Sequence, residues 1–139
     1  MAIIDMQTMR YINLLERVAR VRATKCFIYN NTIYFTVPSG VFSRARGLDN
    51  YTTKIISEQL GKRIRIIRDS GEDIHSIAKF VEDIVSPAGF ASLDIEDGNY
   101  LLVAGSRERA ATLIGRNKTR LIELNAIMQT YFGKGIRIV

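Results

Sequence analysis

Cysteine and histidine are almost missing from this chain. A single cysteine, Cys26, cannot form an internal disulfide, so a reducing, cytoplasmic setting is the expectation. One histidine, His75, beside one cysteine cannot build a zinc site of the common types, and no metal is expected. Only 2 prolines and 10 glycines occur in 139 residues, which excludes a collagen or a Gly/Pro-rich linker. Unbroken apolar runs stop after a few residues, against the roughly 20 that a membrane helix needs, so no membrane partner is expected. Met1 to Arg10 carries Asp5 and has no continuous apolar stretch, which argues against a signal peptide. Catalytic signatures are missing too. Gly133-Lys134-Gly135 fails the spacing of a phosphate loop, no dinucleotide fingerprint follows a strand, and nothing like Gly-x-Ser-x-Gly accompanies the lone histidine. The expectation is a binding protein rather than an enzyme, without cofactor or small-molecule substrate.

What is present is globular. Apolar residues make up 47% and charged residues 24% of the chain, enough for one ordinary domain or two small ones. Lys and Arg number 20 against 14 Asp and Glu, a net charge of +6 that favours a polyanionic partner, nucleic acid above all. The charge is segregated. Residues 1–70 hold twelve basic and five acidic side chains; residues 71–104 hold only Lys79 against seven acids; residues 105–139 hold seven basic and two acidic. A generic solvated surface mixes the signs, whereas this order suggests one face for a polyanion and another kept away from it.

A repeat organises the rest. Gly61-Lys62-Arg63-Ile64-Arg65-Ile66 returns as Gly133-Lys134-Gly135-Ile136-Arg137-Ile138, about half the chain later. In the first half, Ile4, Met9, Ile12, Leu15, Val18, Ala19 and Arg22 recur at helical spacing and predict a helix over about 6–22. Lys25–Tyr29 and Thr32–Val37 are rich in β-formers and flank the Asn30-Asn31 turn, so they read as a hairpin stopped at Pro38. Ser39 is placed to cap a short helix through Arg46, Gly47 to Asn50 interrupts, and a helix from Tyr51 to Leu60 ends at Gly61 before a strand from Arg63 to Arg68. The second half repeats the order: a helix over 74–85 capped by Asp73, strands over 90–96 and 99–103 around Asp97-Gly98, a helix from Ser106 to Ile114, the interruption Gly115 to Lys118, a helix over 119–132, and a strand over 136–139. Tyr29, Tyr34 and Phe35 read as core rather than as stacking platforms. Each half is α-β-β-α-α-β, so the expectation is an α+β chain of two units, 1–70 and 71–139, each a small sheet covered by helices.

The chemistry lies in the two breaks between paired helices. A glycine turn there presents bare N–H groups at the start of the second helix, where the helix dipole adds partial positive charge. Lacking a side chain, the glycine lets a phosphodiester approach. The KH module clamps single-stranded RNA with such a turn, of pattern Gly-x-x-Gly. The element order resembles the type II KH domain, twice. Met9-Arg10-Tyr11-Ile12-Asn13-Leu14-Leu15-Glu16, the Leu60-Gly61-Lys62 step into a strand, and Ile114-Gly115-Arg116-Asn117 are similar to archaeal NusA-like transcription factors, and the resemblance covers essentially the whole chain.

The resemblance implies two tandem type II KH domains, each with a three-stranded mixed sheet. It implies RNA binding in transcription elongation or termination, with single-stranded RNA and RNA polymerase as partners. Its site is Ile114, Gly115, Arg116, Asn117, Lys118 and Arg120, with Arg107 and Arg109 beside them. The first unit contributes Gly47, Leu48, Asp49 and Asn50, with Arg44, Arg46 and Lys54 as a groove wall. Both loops lack the final glycine. Asn50 tolerates a left-handed turn, Lys118 does so less well but adds a cation, and Asp49 puts a negative charge on the phosphate path. The second loop is therefore the expected stronger clamp, and Arg63 and Arg65 are expected to matter less than Arg116 and Lys118. An ungapped repeat would instead set Ser43-Arg44-Ala45-Arg46 opposite Gly115 to Lys118, with no glycine at all. A polymerase-bound interaction module with decayed clamps, or an RNA-processing or ribosome-assembly factor, would use the same fold.

Overall fold

A computed structural model describes residues 6–47 and 50–139. The chain is α+β and divides into two compact units, one ending at Asp69 and the other beginning at Ser70. Ile4 and Asp5 of the expected first helix, and Leu48 and Asp49 of the first loop, lie outside the described residues.

In the amino-terminal unit, α1 (Met6–Ala19) buries Tyr11, Ile12, Leu14 and Leu15. It stops three residues short of the expected end. Arg20 turns left-handed at φ 60 while its N–H still closes the last turn onto Glu16 O at 2.8 Å. Val21 and Ala23 then enter the core as a lead-in to the sheet, and Arg22 leaves the helix to pair with Glu16 at 3.0 Å. β1 (Lys25–Tyr29) and β2 (Thr32–Val37) form an antiparallel hairpin around Asn30 and Asn31, both at positive φ. A 3₁₀ turn over Ser39–Val41 precedes α2 (Phe42–Arg46), and neither has a side-chain cap. Ser39 is not the cap expected of it. Pro38 O already accepts from Val41 N, so Ser39 sits one residue inside the turn, past the position from which a hydroxyl can cap. α3 (Tyr51–Leu60) ends on left-handed Gly61, and β3 (Arg63–Arg68) pairs parallel to β2.

The sheet order is β1-β2-β3, leaving β3 with a free edge. Alternation sends Ile33, Phe35 and Val37 of β2 into one core with Leu15, Ala45, Ile56 and Ile66. The opposite face of β2 is also buried: Phe27 stacks on Tyr34 with ring centroids 5.3 Å apart, and Tyr29 meets Tyr34 edge-on. Tyr29, Tyr34 and Phe35 are thus interior side chains.

The carboxy-terminal unit repeats the plan. Asp73 caps α4 (Ile74–Val85) by accepting from Ser76 N at 3.1 Å, and the Ser76 hydroxyl and N–H together hold its carboxyl below the usual carboxylate range. Ile77, Phe80, Val81 and Ile84 face inward. β4 (Ser92–Glu96) begins two residues later than expected. Its antiparallel partner β5 (Asn99–Val103) ends opposite Ser92, so Phe90 has no strand left to pair with. α5 (Arg107–Ile114) is capped by Ser106, a second 3₁₀ turn covers Arg116–Lys118, and α6 (Thr119–Phe132) leads to β6 (Ile136–Ile138). The order β4-β5-β6 again puts the closing strand at an edge, parallel to the central one. Pairing continues past β6 through Val139, whose N–H donates to Leu102 O at 3.0 Å. Phe132 joins Phe80 and Tyr100 in edge-to-face contacts of this core. Among the described residues no helix is long and apolar enough to cross a membrane.

Candidate functional site

The two interhelical corners have the same backbone. Gly47 and Gly115 both stand at φ 77, ψ 173, a conformation open essentially to glycine alone. Three residues later, Asn50 (φ 60, ψ 34) and Lys118 (φ 61, ψ 19) are both left-handed and start the next helix. The structure therefore pairs Gly47 with Gly115 and decides against the ungapped register. The corner glycines are 68 positions apart and the closing glycines 72, because α6 has 14 residues where α3 has 10. The lost final glycine has not cost either corner its turn.

Both helices that follow a corner start without a side-chain cap, whereas α4 and α5 are capped by Asp73 and Ser106. Their first-turn N–H groups are donors that an outside anion can satisfy. At the second corner Arg116, Asn117 and Lys118 are exposed, while Ile114 and Gly115 are half-buried. Asn117 is left-handed too, at φ 56. The side chain of Arg120 folds back across the corner. A Cβ on Gly115 would stand 2.8 Å from its Cγ, and its guanidinium donates to Thr112 O at 3.2 Å near the end of α5. Arg120 therefore braces the turn as well as charging it.

Arg107 and Arg109 are not at this corner. They lie in the first turn of α5, about 10 Å away along the helix at 1.5 Å per residue. The Arg109 side chain rests against Gly89 and Gly105. Sequence proximity placed them by the loop; the length of α5 separates them from it.

In the amino-terminal unit, Arg44 and Arg46 are exposed in the last turn of α2, just before Gly47. The Arg46 guanidinium lies 5.6 Å from the Phe42 ring centre, and that of Arg68 lies 4.1 Å from the same ring. Lys54 does line a groove wall, and its companions there are not Arg44 and Arg46. An open groove of about 410 Å³ runs between α3 and the free edge of β3, lined by Lys54, Thr53 and Ser57 from α3, by Arg63, Ile64 and Arg65 from β3, and by Thr32 and Tyr34 from β2. Three cations face it and no acid lines it. Arg65 donates to the Tyr34 hydroxyl at 3.3 Å and lies over its ring, 5.4 Å from the centre. The alternation of β3 signalled that Arg63 and Arg65 share a face; only the fold of α3 over the strand edge brings Lys54 to them. Among the described residues no group of three His, Cys, Asp or Glu side chains could hold a metal ion.

Two cationic features thus stand in the chain, an uncapped corner at 115–118 and a strand-edge groove at 54–65, both suited to a phosphodiester. No family model matches the sequence. It is 28% identical over 111 residues to a protein of Halococcus morrhuae described as probable transcription termination protein NusA, covering 78% of this chain and 77% of that one. Its fold is similar to that of the protein in "Crystal structure of APE1850", with a TM-score of 0.69, 22% identity, and coverage of 98% of this chain and 100% of the other.

Proposed function

We propose that this chain is an RNA-binding transcription factor of the NusA-like kind, two tandem type II KH modules that hold single-stranded RNA during elongation or termination. The observation that carries the reading is the shared corner: one glycine conformation, one left-handed fourth residue and one uncapped helix start, present in both units. That arrangement offers fixed N–H donors to a sugar–phosphate backbone at both corners. The relative described as a termination protein supports the transcriptional context. Loss of the final glycines is the ground for reading the clamps as decayed. Retention of the left-handed turn at Asn50 and Lys118 weighs against that, so RNA remains the first partner and RNA polymerase a second. The role is binding, not catalysis.

The second corner is the stronger clamp, because Arg116 and Lys118 flank it with exposed positive charge. Filter binding of single-stranded RNA tests this. The pair Arg116→Glu and Lys118→Glu should weaken binding by about tenfold or more, since each cation that contacts a phosphate contributes about 0.7 to the salt slope for a single strand. Wild-type affinity in the double variant, with the fold intact by circular dichroism, would refute the clamp.

A further inference from the structure

The repeat Gly61–Ile66 and Gly133–Ile138 differs at one position, Arg63 against Gly135. That difference sits at the free edge of each sheet. In the carboxy-terminal unit, Tyr100 N–H donates to Gly135 O at 2.8 Å, which turns that carbonyl toward β5. The Ile136 N–H of the same planar peptide points the other way, off the sheet edge. It is taken by the protein itself: Asn125 Oδ1 of α6 accepts from it at 2.9 Å. Gly135 permits this closure. A Cβ there would stand 2.7 Å from Asn125 Oδ1, 3.2 Å from Asn99 Oδ1 and 3.3 Å from Gln129 Nε2, so three amides fill the space where a side chain would be.

The amino-terminal unit differs at the positions of Asn125, Gln129 and Gly135 while keeping the isoleucine. Counted back from the closing glycine, Asn125 corresponds to Thr53, Gln129 to Ser57 and Gly135 to Arg63. Thr53 donates to Asn50 O and Ser57 to Lys62 O, each at 2.8 Å, so both hydroxyls turn to their own backbone and leave the strand edge uncovered. The open groove beside Ile64 lies there.

We infer that Asn125 is a built-in plug, which fills in the carboxy-terminal unit the strand-edge position that a nucleobase takes in the amino-terminal one. The chemistry matches, because a primary amide presents the carbonyl and NH₂ pattern of a base edge. RNA bases are then read by one groove, at Ile64 with Lys54, Arg63 and Arg65 for the flanking phosphate, while the carboxy-terminal unit holds backbone only. This inference rests on the proposed RNA binding.

Backbone amide NMR on the full chain, titrated with a pool of random-sequence single-stranded RNA decamers, tests it. In the wild type the Ile64 amide should shift and the Ile136 amide should not. Asn125→Thr, which installs the amino-terminal unit's residue, should speed exchange of the Ile136 amide about tenfold without RNA and make it shift with RNA. Asn125→Asp keeps an acceptor and should keep the protection, which separates the hydrogen bond from a general loss of packing. Equal wild-type shifts at Ile64 and Ile136 would overturn the plug, as would a folded Asn125→Thr variant whose Ile136 ignores RNA while Ile64 responds. The wild-type comparison stands even if that variant does not fold. Shifts at neither amide nor at 115–118 would overturn RNA binding itself, a different failure.

Discussion

Lys118 holds a left-handed conformation that an L side chain adopts at a cost, next to Asn117 in the same region. A glycine there would relieve the strain but remove a cation from an exposed corner. Lys118→Gly is therefore expected to move stability and binding in opposite directions. It should stabilise the fold by about 0.5–1 kcal/mol. It should also weaken single-stranded RNA binding and lower the salt slope by about 0.7. Thermal melting and a salt titration measure the two effects; a raised melting temperature with unchanged binding would place Lys118 away from the RNA. Glycine at 115 has no such freedom, because Arg120 already fills the space where its Cβ would go. The need for glycine at 115 was legible in the sequence. The bracing by Arg120 was not, since it depends on the angle between α5 and α6.

Helices and strands were mostly legible, for identifiable reasons. Asp73 and Ser106 are cap residues placed directly before amphipathic or charged runs, and both cap. Gly61 and Gly133 close their helices in the left-handed region. The failures are equally local. Arg20 ends α1 without any glycine or proline to announce it, and Pro38 takes the start of the 3₁₀ turn from Ser39. The Asp73 cap carries a pH prediction. Its carboxyl titrates lower folded than its ordinary value of 3.8, so its stabilisation is fully present above that value and is lost as pH falls through the folded one. Asn caps as well but does not titrate, so Asp73→Asn should flatten the acid-side fall in melting temperature below about pH 4. An acid limb identical to wild type would show that the cap does not carry that dependence.

Across the whole chain the charge order is basic, acidic, basic, and the cations serve two different features. Those at 116–118 flank a corner, and those at 54, 63 and 65 line a groove. If both touch RNA, replacing Lys54, Arg63 and Arg65 by Gln should lower the salt slope of binding by about 2, at about 0.7 for each phosphate that a cation no longer neutralises. Binding measured between low and moderate salt checks this, and an unaltered slope would exclude the groove from the RNA path. The sequence ranks Arg63 and Arg65 below Arg116 and Lys118. In the fold they share the Tyr34 face of the sheet, opposite the core, and line with Lys54 a groove of three cations at the strand edge. This triple variant, set beside the Arg116 and Lys118 pair, tests that ranking.

By itself the sequence determined the doubled α-β-β-α-α-β order, the two glycine corners and the unequal charge of the segments. These follow from periodicity, turn chemistry and counting, which are local properties of a chain. Tertiary structure alone decided between the two registers, making Gly47 the counterpart of Gly115, and set Arg107 and Arg109 apart from the corner. It also decided that Asn125 closes one strand edge while Thr53 leaves the other open. Those facts depend on which side chains meet across a strand edge or a helix pair, and distance along the chain does not encode them.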